Sequence, residues 1–450
     1  MNMAVTMQGG RAPLPYPGDE PLQQEMRQLL QSRGVWDRAG RALMLEQSAA
    51  LVVGRVCDDE PLLQTEAALG RSAPHRIVRG AAALAMLCDT ERMILAVRGD
   101  DAALLRRMRQ EAEGTRLEVA EVAASVPLDD RSLLCDLALA GTARRALVAD
   151  AVVLDDVGTA LEGRFPLRRT VTVAGAVQEP AVVQTPIGTT MQDLVQACGG
   201  SPDVGWVPWH NGVLGGRRAG WEDVVELDTR GVVVLPHDHP QVRAAATPLS
   251  DVVARIVSAC TSCRICTDTC PVHLIGGNLT PHLVMQALSC GFQRSAFRPD
   301  GAALGALECI HCGVCNAACP AMLRPAGAIE SVAERLREQG VALDGSHVLR
   351  PHPDRMGRRL SVARAGEMLG LRESRLPLPT IQFVPDRVML PLIGPTGAVR
   401  VSTVQAGEVV RAGDIVAMIG ALRAEVDLRA PVAGRVVRVD PDDGVVIEVR

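Results

Sequence analysis

The sequence predicts a multidomain α/β protein, and three observations carry that prediction. At 450 residues the chain is too long for one core and divides into roughly three or four domains. Residues 49–157 alternate strand-like and helix-like patterns, whereas the last sixty or so are strand-rich with glycine turns. Between these regions, eight of the thirteen cysteines fall into two copies of one spacing.

Residues 1–18, with Pro13, Pro15 and Pro17, read as a flexible leader. Residues 19–165 form the next unit. It opens on a helical stripe of Leu22, Met26, Leu29 and Leu30, with Asp19 or Glu20 near its start, expected to pack on its own domain. Strands follow at 50–56, 93–97, 116–122 and 146–154, with helices at 76–88 and 101–113. That alternation predicts a parallel, Rossmann-like sheet, although such a sheet does not by itself establish a nucleotide site. In residues 166–245 the run TVTVAGAV at 170–177 is a strand, 186–188 a turn and 190–198 a short helix stopped by Gly199 and Gly200. With a return strand at 232–235, this is a small β-grasp module.

Residues 246–340 contain Cys260, Cys263, Cys266, Cys270 and Pro271, then Cys309, Cys312, Cys315, Cys319 and Pro320. Three thiolates spaced three residues apart reach three corners of a cubane from one tight loop, and the fourth ligand comes from elsewhere. In two-cluster ferredoxins the last cysteine of each run serves the other cluster. Two 4Fe-4S clusters are therefore expected: Cys260, Cys263, Cys266 and Cys319 hold the first, and Cys309, Cys312, Cys315 and Cys270 the second. A zinc site is disfavoured because three such cysteines crowd one tetrahedral ion. Disulfides are disfavoured because no secretory signal is recognisable at the N-terminus. Cys57, Cys88, Cys135, Cys198 and Cys290 read as small buried hydrophobes. Between the two runs, Asn278 or Thr280 caps a helix bearing Leu283, Val284, Ala287 and Leu288, and a second helix ends before Gly340. The unit is an α-helical two-cluster ferredoxin domain.

Residues 341–385 are an Arg/Pro-rich connector with one short helix at 358–369, its charge read as a solvated surface. In residues 386–450, the halves 409–419 and 430–439 resemble a barrel-sandwich hybrid, the fold of biotinyl and lipoyl carriers. Carriers present a lysine at the hairpin tip. Here the tip, 421–427, has Arg423, and the 47 basic residues are all arginine. Biotin and lipoate attachment are thus excluded, as are Schiff-base chemistry and a phosphate-cradling lysine. A net charge of −5 with no charged block gives no case for nucleic acid. No apolar run approaches the roughly 20 residues of a membrane span. A cytoplasmic location is expected.

With its domains in this order the chain resembles the Rnf electron-transport complex C subunit-like family, in the branch formed by cobalamin reductase subunits of propanediol-utilisation microcompartments. The resemblance rests on the cysteine runs, on CPVHLIGGNLTPHLVMQAL at 270–288, on TVTVAGAVQEPAVVQTPIGTT at 170–190, and on the terminal barrel. It makes the β-grasp module SLBB-like and implies a redox donor and acceptor, a cobalamin-dependent enzyme system, and enclosure in a bacterial microcompartment shell. Its similarity to the flavoprotein subunit of respiratory complex I further implies NADH oxidation through FMN. That activity depends on a run of the form GGAGFPT, whose glycines admit a phosphate to the backbone amides. The matching stretch here is GVWDRAGRALM, 34–44. Gly34 and Gly40 survive, Trp36, Arg38 and Arg41 intrude, and the acidic segment that follows is partly kept as Asp58, Asp59, Glu60 and Pro61. FMN and NADH are expected to bind weakly or not at all.

The expected function is an electron relay between a redox partner and an acceptor such as a cobalamin enzyme. The alternatives are an NADH-dependent, FMN-containing cobalamin reductase and a cluster-bearing scaffold. His237 and His239 read as surface histidines, and the segment HNGVLGG at 210–216 as a turn with no assigned role.

Overall fold

A computed structural model describes residues 20–33, 35, 49–137, 139, 146–203, 205–289, 303–343, 350–371, 377–392, 400–419, 427–440 and 444–449. Gly34, Trp36, Arg38, Gly40, Arg41, Cys290 and Arg423, together with the leader, lie outside the described residues.

The N-terminal unit comprises α1 (Glu20–Arg33), β1 (Leu51–Val56), α2 (Thr65–Ser72), α3 (Pro74–Leu87), β2 (Met93–Arg98), α4 (Ala102–Ala112), β3 (Leu117–Val122), β4 (Ser125–Val126), α5 (Asp130–Asp136), β5 (Ala146–Asp150) and α6 (Ala151–Leu161). Its parallel sheet has the order β3-β2-β1-β5. All six residues of β1 are buried, as expected of a strand covered on both faces. Met26 and Leu30 of α1 are buried against α3, where Gln23 Nε2 donates to Met86 O at 3.0 Å. Helices α3 and α6 touch through backbone: a Cβ on Gly80 would stand 2.2 Å from Leu154 O, so no larger residue fits.

The strand expected at 146–154 ends instead at Asp150, whose side chain accepts from Val153 N at 3.0 Å and caps α6. A capped N-terminus satisfies helix donors that a longer strand would leave unpaired. The apolar run 151–154 is therefore the start of a helix.

The second unit is a six-stranded sheet, β12-β7-β6-β10-β8-β9. Its strands are β6 (Arg168–Gly175), β7 (Ala181–Pro186), β8 (Trp206–His210), β9 (Arg217–Arg218), β10 (Gly231–Pro236) and β12 (Thr380–Gln382). The short α7 (Met191–Gln196) packs Leu194 and Val195 with Val171, Val183 and Val232.

The cysteine domain is helical. It contains α8 (Pro240–Ala246), α9 (Leu249–Ala259), α10 (Ile265–Asp268), α11 (Pro271–Leu274), α12 (Pro281–Ser289), α13 (Val314–Ala318) and α14 (Pro325–Glu338). Val252, Ile256, Val284, Met285, Ile329, Val332 and Leu336 form its core.

The connector departs from the solvated surface expected of it. Residues 358–369 divide among the end of α15 (Arg355–Arg358), β11 (Leu360–Ser361) and α16 (Val362–Met368). Strand β11 pairs with β4, Arg359 hydrogen-bonds Asp136 and Ser125, and Leu360, Val362, Ala365 and Leu369 are buried with Val126, Leu235 and Val314. Further on, β12 adds to the edge of β7. Among the described connector arginines, Arg355 and Arg359 pair with Asp136 and Arg358 with Asp268, whereas Arg364 stays exposed beside Glu367.

The C-terminal unit packs a sheet β13-β19-β18-β15 and a sheet β14-β16-β17 around Val388, Leu390, Val416, Val436 and Ile447. The strands are β13 (Arg387–Leu390), β14 (Arg400–Ser402), β15 (Val409–Val410), β16 (Ile415–Ile419), β17 (Leu428–Arg429), β18 (Gly434–Asp440) and β19 (Gly444–Val449).

Candidate iron–sulfur centres

Each cysteine run leaves a helix, turns twice through the left-handed region and enters a one-turn helix. In the first run Ser262 and Arg264 have φ of 54° and 66°; in the second, His311 and Gly313 have φ of 54° and 70°. Two left-handed residues within three positions tighten the loop, so that the thiols face a common point. Left-handed backbone costs an ordinary residue roughly 1–2 kcal/mol, which Ser262, Arg264 and His311 bear. Their recurrence in both loops ties the strain to the shape the cysteines require.

Two cavities result. One is lined by Cys260, Cys263, Cys266 and Cys319, with His282 and Met285. The other is lined by Cys270, Cys309, Cys312 and Cys315, with Val272, Leu279 and Ile329. The last cysteine of each run thus enters the cavity of the other. Cys266 lies within α10 and Cys270 two residues beyond its end, so a step of four residues along the chain joins the two cavities. Thr267, at the centre of that turn, accepts from His282 N at 3.0 Å and hydrogen-bonds His282 Nδ1 at 2.8 Å, which fixes α10 against α12.

The thiols are costly to ionise without a positive charge among them. Burial pushes the Cys270 thiol up to about 12 and Cys266 up to about 11, and it moves Cys312 and Cys315 well above the ordinary range. Backbone N–H groups offset part of this: Val314 N points at Cys312, and His273 N and Val272 N at Cys270. Leu323 N donates to Cys319 Sγ at 3.4 Å. Four convergent cysteines around a mainly apolar pocket are the donor set that iron–sulfur clusters take, and iron held there would supply the missing charge.

The acidic segment after β1 ties domains together. Asp59 Oδ2 accepts from Leu128 N at 2.9 Å. Glu60 Oε2 accepts from Leu214 N at 3.0 Å and Oε1 from Gly215 N at 2.6 Å. The loop so held rests on the second cysteine loop, because a Cβ on Gly313 would stand 2.1 Å from Leu214 O. Sequence reasoning gave the segment 210–216 no role; its only signal was the density of glycines. Beside it, Arg55, 1% exposed, donates to Leu128 O at 2.9 Å and pairs with Glu66 at 2.7 Å. Arg230 continues the network from Glu66, at 3.2 Å, to Asp150. These charges occupy the carboxyl ends of the adjacent strands β1 and β5.

His239 is committed elsewhere: Nδ1 accepts from Gln241 N at 3.2 Å and Nε2 donates to Leu369 O at 3.0 Å. Among the described residues no group of three or more His, Cys, Asp or Glu was found that could hold a single metal ion. No described helix is long and apolar enough to cross a membrane.

Residues 259–324 match the model of the 4Fe-4S dicluster domain, 170–218 that of the SLBB domain, and 386–449 that described as "Biotin-requiring enzyme". Fold and site together define an iron–sulfur electron-transfer protein built on a dicluster domain. The chain is 30% identical to cobalamin reductase PduS of Salmonella typhimurium over 429 residues, covering 89% of this chain and 92% of that one. PduS of Citrobacter freundii is 33% identical over 296 residues, 62% of this chain and 64% of that one. The C subunit of the ion-translocating oxidoreductase complex of Methanosarcina acetivorans is 32% identical over 119 residues, 26% of this chain and 24% of that one. The chain belongs to the cobalamin reductase PduS family.

Proposed function

We propose that the chain is a two-cluster relay that passes single electrons from a protein donor to a cobalamin-dependent acceptor without a flavin of its own. One 4Fe-4S cluster is held by Cys260, Cys263, Cys266 and Cys319, and the other by Cys309, Cys312, Cys315 and Cys270. The observation that carries this reading is the pairing of the cysteines into two four-thiol cavities, each completed by the other run. Bound clusters supply reversible one-electron storage. The protein contributes thiolates, the backbone N–H groups of Leu323 and Val314, and apolar walls around the second site.

At the strand switch point the described residues leave a flavin no seat; the open space, a cavity of about 640 Å³ lined by Asp58, Arg71, Arg98 and Asp101, lies to one side, at the ends of β1 and β2. In parallel α/β sheets a nucleotide sits outside the carboxyl ends of the strands, where strand order reverses. In this sheet, between β1 and β5, Arg55, Glu66, Arg230 and Asp150 fill that position with ion pairs. Asp59 and Glu60 are already engaged by Leu128, Leu214 and Gly215. The N-terminal unit then serves as a Rossmann-like support, and the terminal barrel-sandwich unit, in a chain without lysine, as a support or docking module. The acceptor is taken from the relatives' name, and a microcompartment is the setting that fits it.

Iron and acid-labile sulfide of the purified protein are expected at about eight each per chain. Its visible absorbance is expected to bleach with dithionite, to stay unchanged with NADH, and to recover on adding a cobalamin acceptor. Flavin bands that survive desalting, together with bleaching by NADH, would overturn the flavin-free relay. Clusters that never re-oxidise would leave a scaffold.

A further inference from the structure

We propose that the face around the first cysteine site, formed by Val257, Ile265, Met322 and Arg264, is the docking surface for an acidic one-electron carrier protein. The inference rests on the relay reading and adds where the relay meets its partner, and what charge that partner bears.

Three large apolar side chains border the first cavity in the open. Val257 is 59% exposed, Ile265 40% and Met322 62%. Each lies within three residues of a cysteine lining that cavity: Val257 before Cys260, Ile265 before Cys266, Met322 after Cys319. Cys263 is itself exposed. Scattered apolar residues are unremarkable on any surface, whereas a group of them around a redox site marks a contact. Brief redox encounters use small interfaces of this kind, with an apolar centre and a charged rim.

The rim selects the partner. Arg255 and Arg264 are exposed, with Asp251 the exposed carboxylate near them; Arg324 is turned to the carbonyls of Ala244 and Thr247, and Arg358 is paired with Asp268 at 3.3 Å and Asp354 at 3.7 Å. This face is therefore cationic in a chain whose net charge is −5. The second site differs in access and lacks this excess of positive charge. Its margin has Ile310 at 36%, and there Glu330, 3.6 Å from His311, and Glu334 on the same helix are set against Arg337. A carrier with an acidic rim is therefore drawn to the first face more strongly than to the second. One electron leaves the reduced carrier and is taken up at the first site, and no bond is made or broken.

The test uses the full-length, cluster-loaded protein mixed anaerobically with reduced flavodoxin, an acidic one-electron donor, while the cluster absorbance is followed. The rate is expected to fall roughly tenfold between about 20 mM and 500 mM salt. Arg255→Glu and Met322→Asp should each slow it several-fold at low salt, and Glu330→Arg should not slow it. A rate indifferent to salt, or one slowed more by Glu330→Arg than by Arg255→Glu, overturns the docking surface. Iron content and dithionite bleaching of every sample separate the two readings: normal bleaching without this pattern defeats the surface alone, and absent bleaching defeats the relay as well.

Discussion

The two cysteine sites are written with the same spacing and wound at the same pair of left-handed positions, yet the first is more exposed than the second. Around the first, Cys263 is exposed and apolar side chains stand in solvent. Around the second, Cys315 is buried, and the loop bearing Leu214 closes over Gly313. A motif of this length determines chelation. Access, polarity and hence redox potential are set by whatever else the chain lays over it.

The sharpest way to break the symmetry is to remove one ligand. Cys315→Ser should lower iron from about eight to about four per chain and leave the first site loaded, because its four thiols come from elsewhere. Because Cys315 is also buried beside the domain core, thermal unfolding should shift further for Cys315→Ser than for Cys263→Ser. Iron analysis and circular dichroism check both halves.

The equivalent positions Arg264 and Gly313 give a smaller, opposed pair. Gly313→Ala puts a Cβ against Leu214 O at a φ of 70°, and should cost about 1–3 kcal/mol. Arg264→Gly relieves the same conformation on an exposed loop and should be neutral or stabilising by up to about 1 kcal/mol. Denaturant midpoints of the loaded proteins measure the difference. Equal effects of the same sign would mean that the two loops are equally enclosed.

The smallest effect concerns pH at the enclosed site. Burial pushes the Glu60 carboxyl from 4.5 up to about 8, offset in part by the N–H groups of Gly215 and Leu214. A carboxyl raised in the folded state favours its protonated form there. Its contribution is complete below pH 4.5 and is lost as pH climbs towards about 8. Partial exposure of Glu60 keeps the effect modest. Glu60→Gln should flatten the decline of melting temperature over that interval relative to the parent, and Glu330→Gln should not.

What was legible in the sequence was local. The cysteine spacing, Gly340 after α14 and the caps of short helices act within a few residues, so the chemistry of chelation and helix ends could be read directly. Asp150 was legible too, since an aspartate ahead of an apolar run is an N-cap signal; the apolar run beyond it outweighed that signal. The seating of Glu60 under Leu214, 154 residues away, and of Arg359 on Asp136, 223 residues away, had no local signature. A buried carboxylate and a solvated one look alike until the fold selects their partners.

The connector bears on how the chain is made. Strand β12, residues 380–382, completes the edge of β7, residues 181–186. At ribosomal rates of about 5–20 residues per second, that edge waits roughly 10–40 s after it emerges. For that interval its backbone groups are open to any passing strand. Dependence of yield on chaperones or on slowed translation would thus trace to this late strand, well away from either iron–sulfur site.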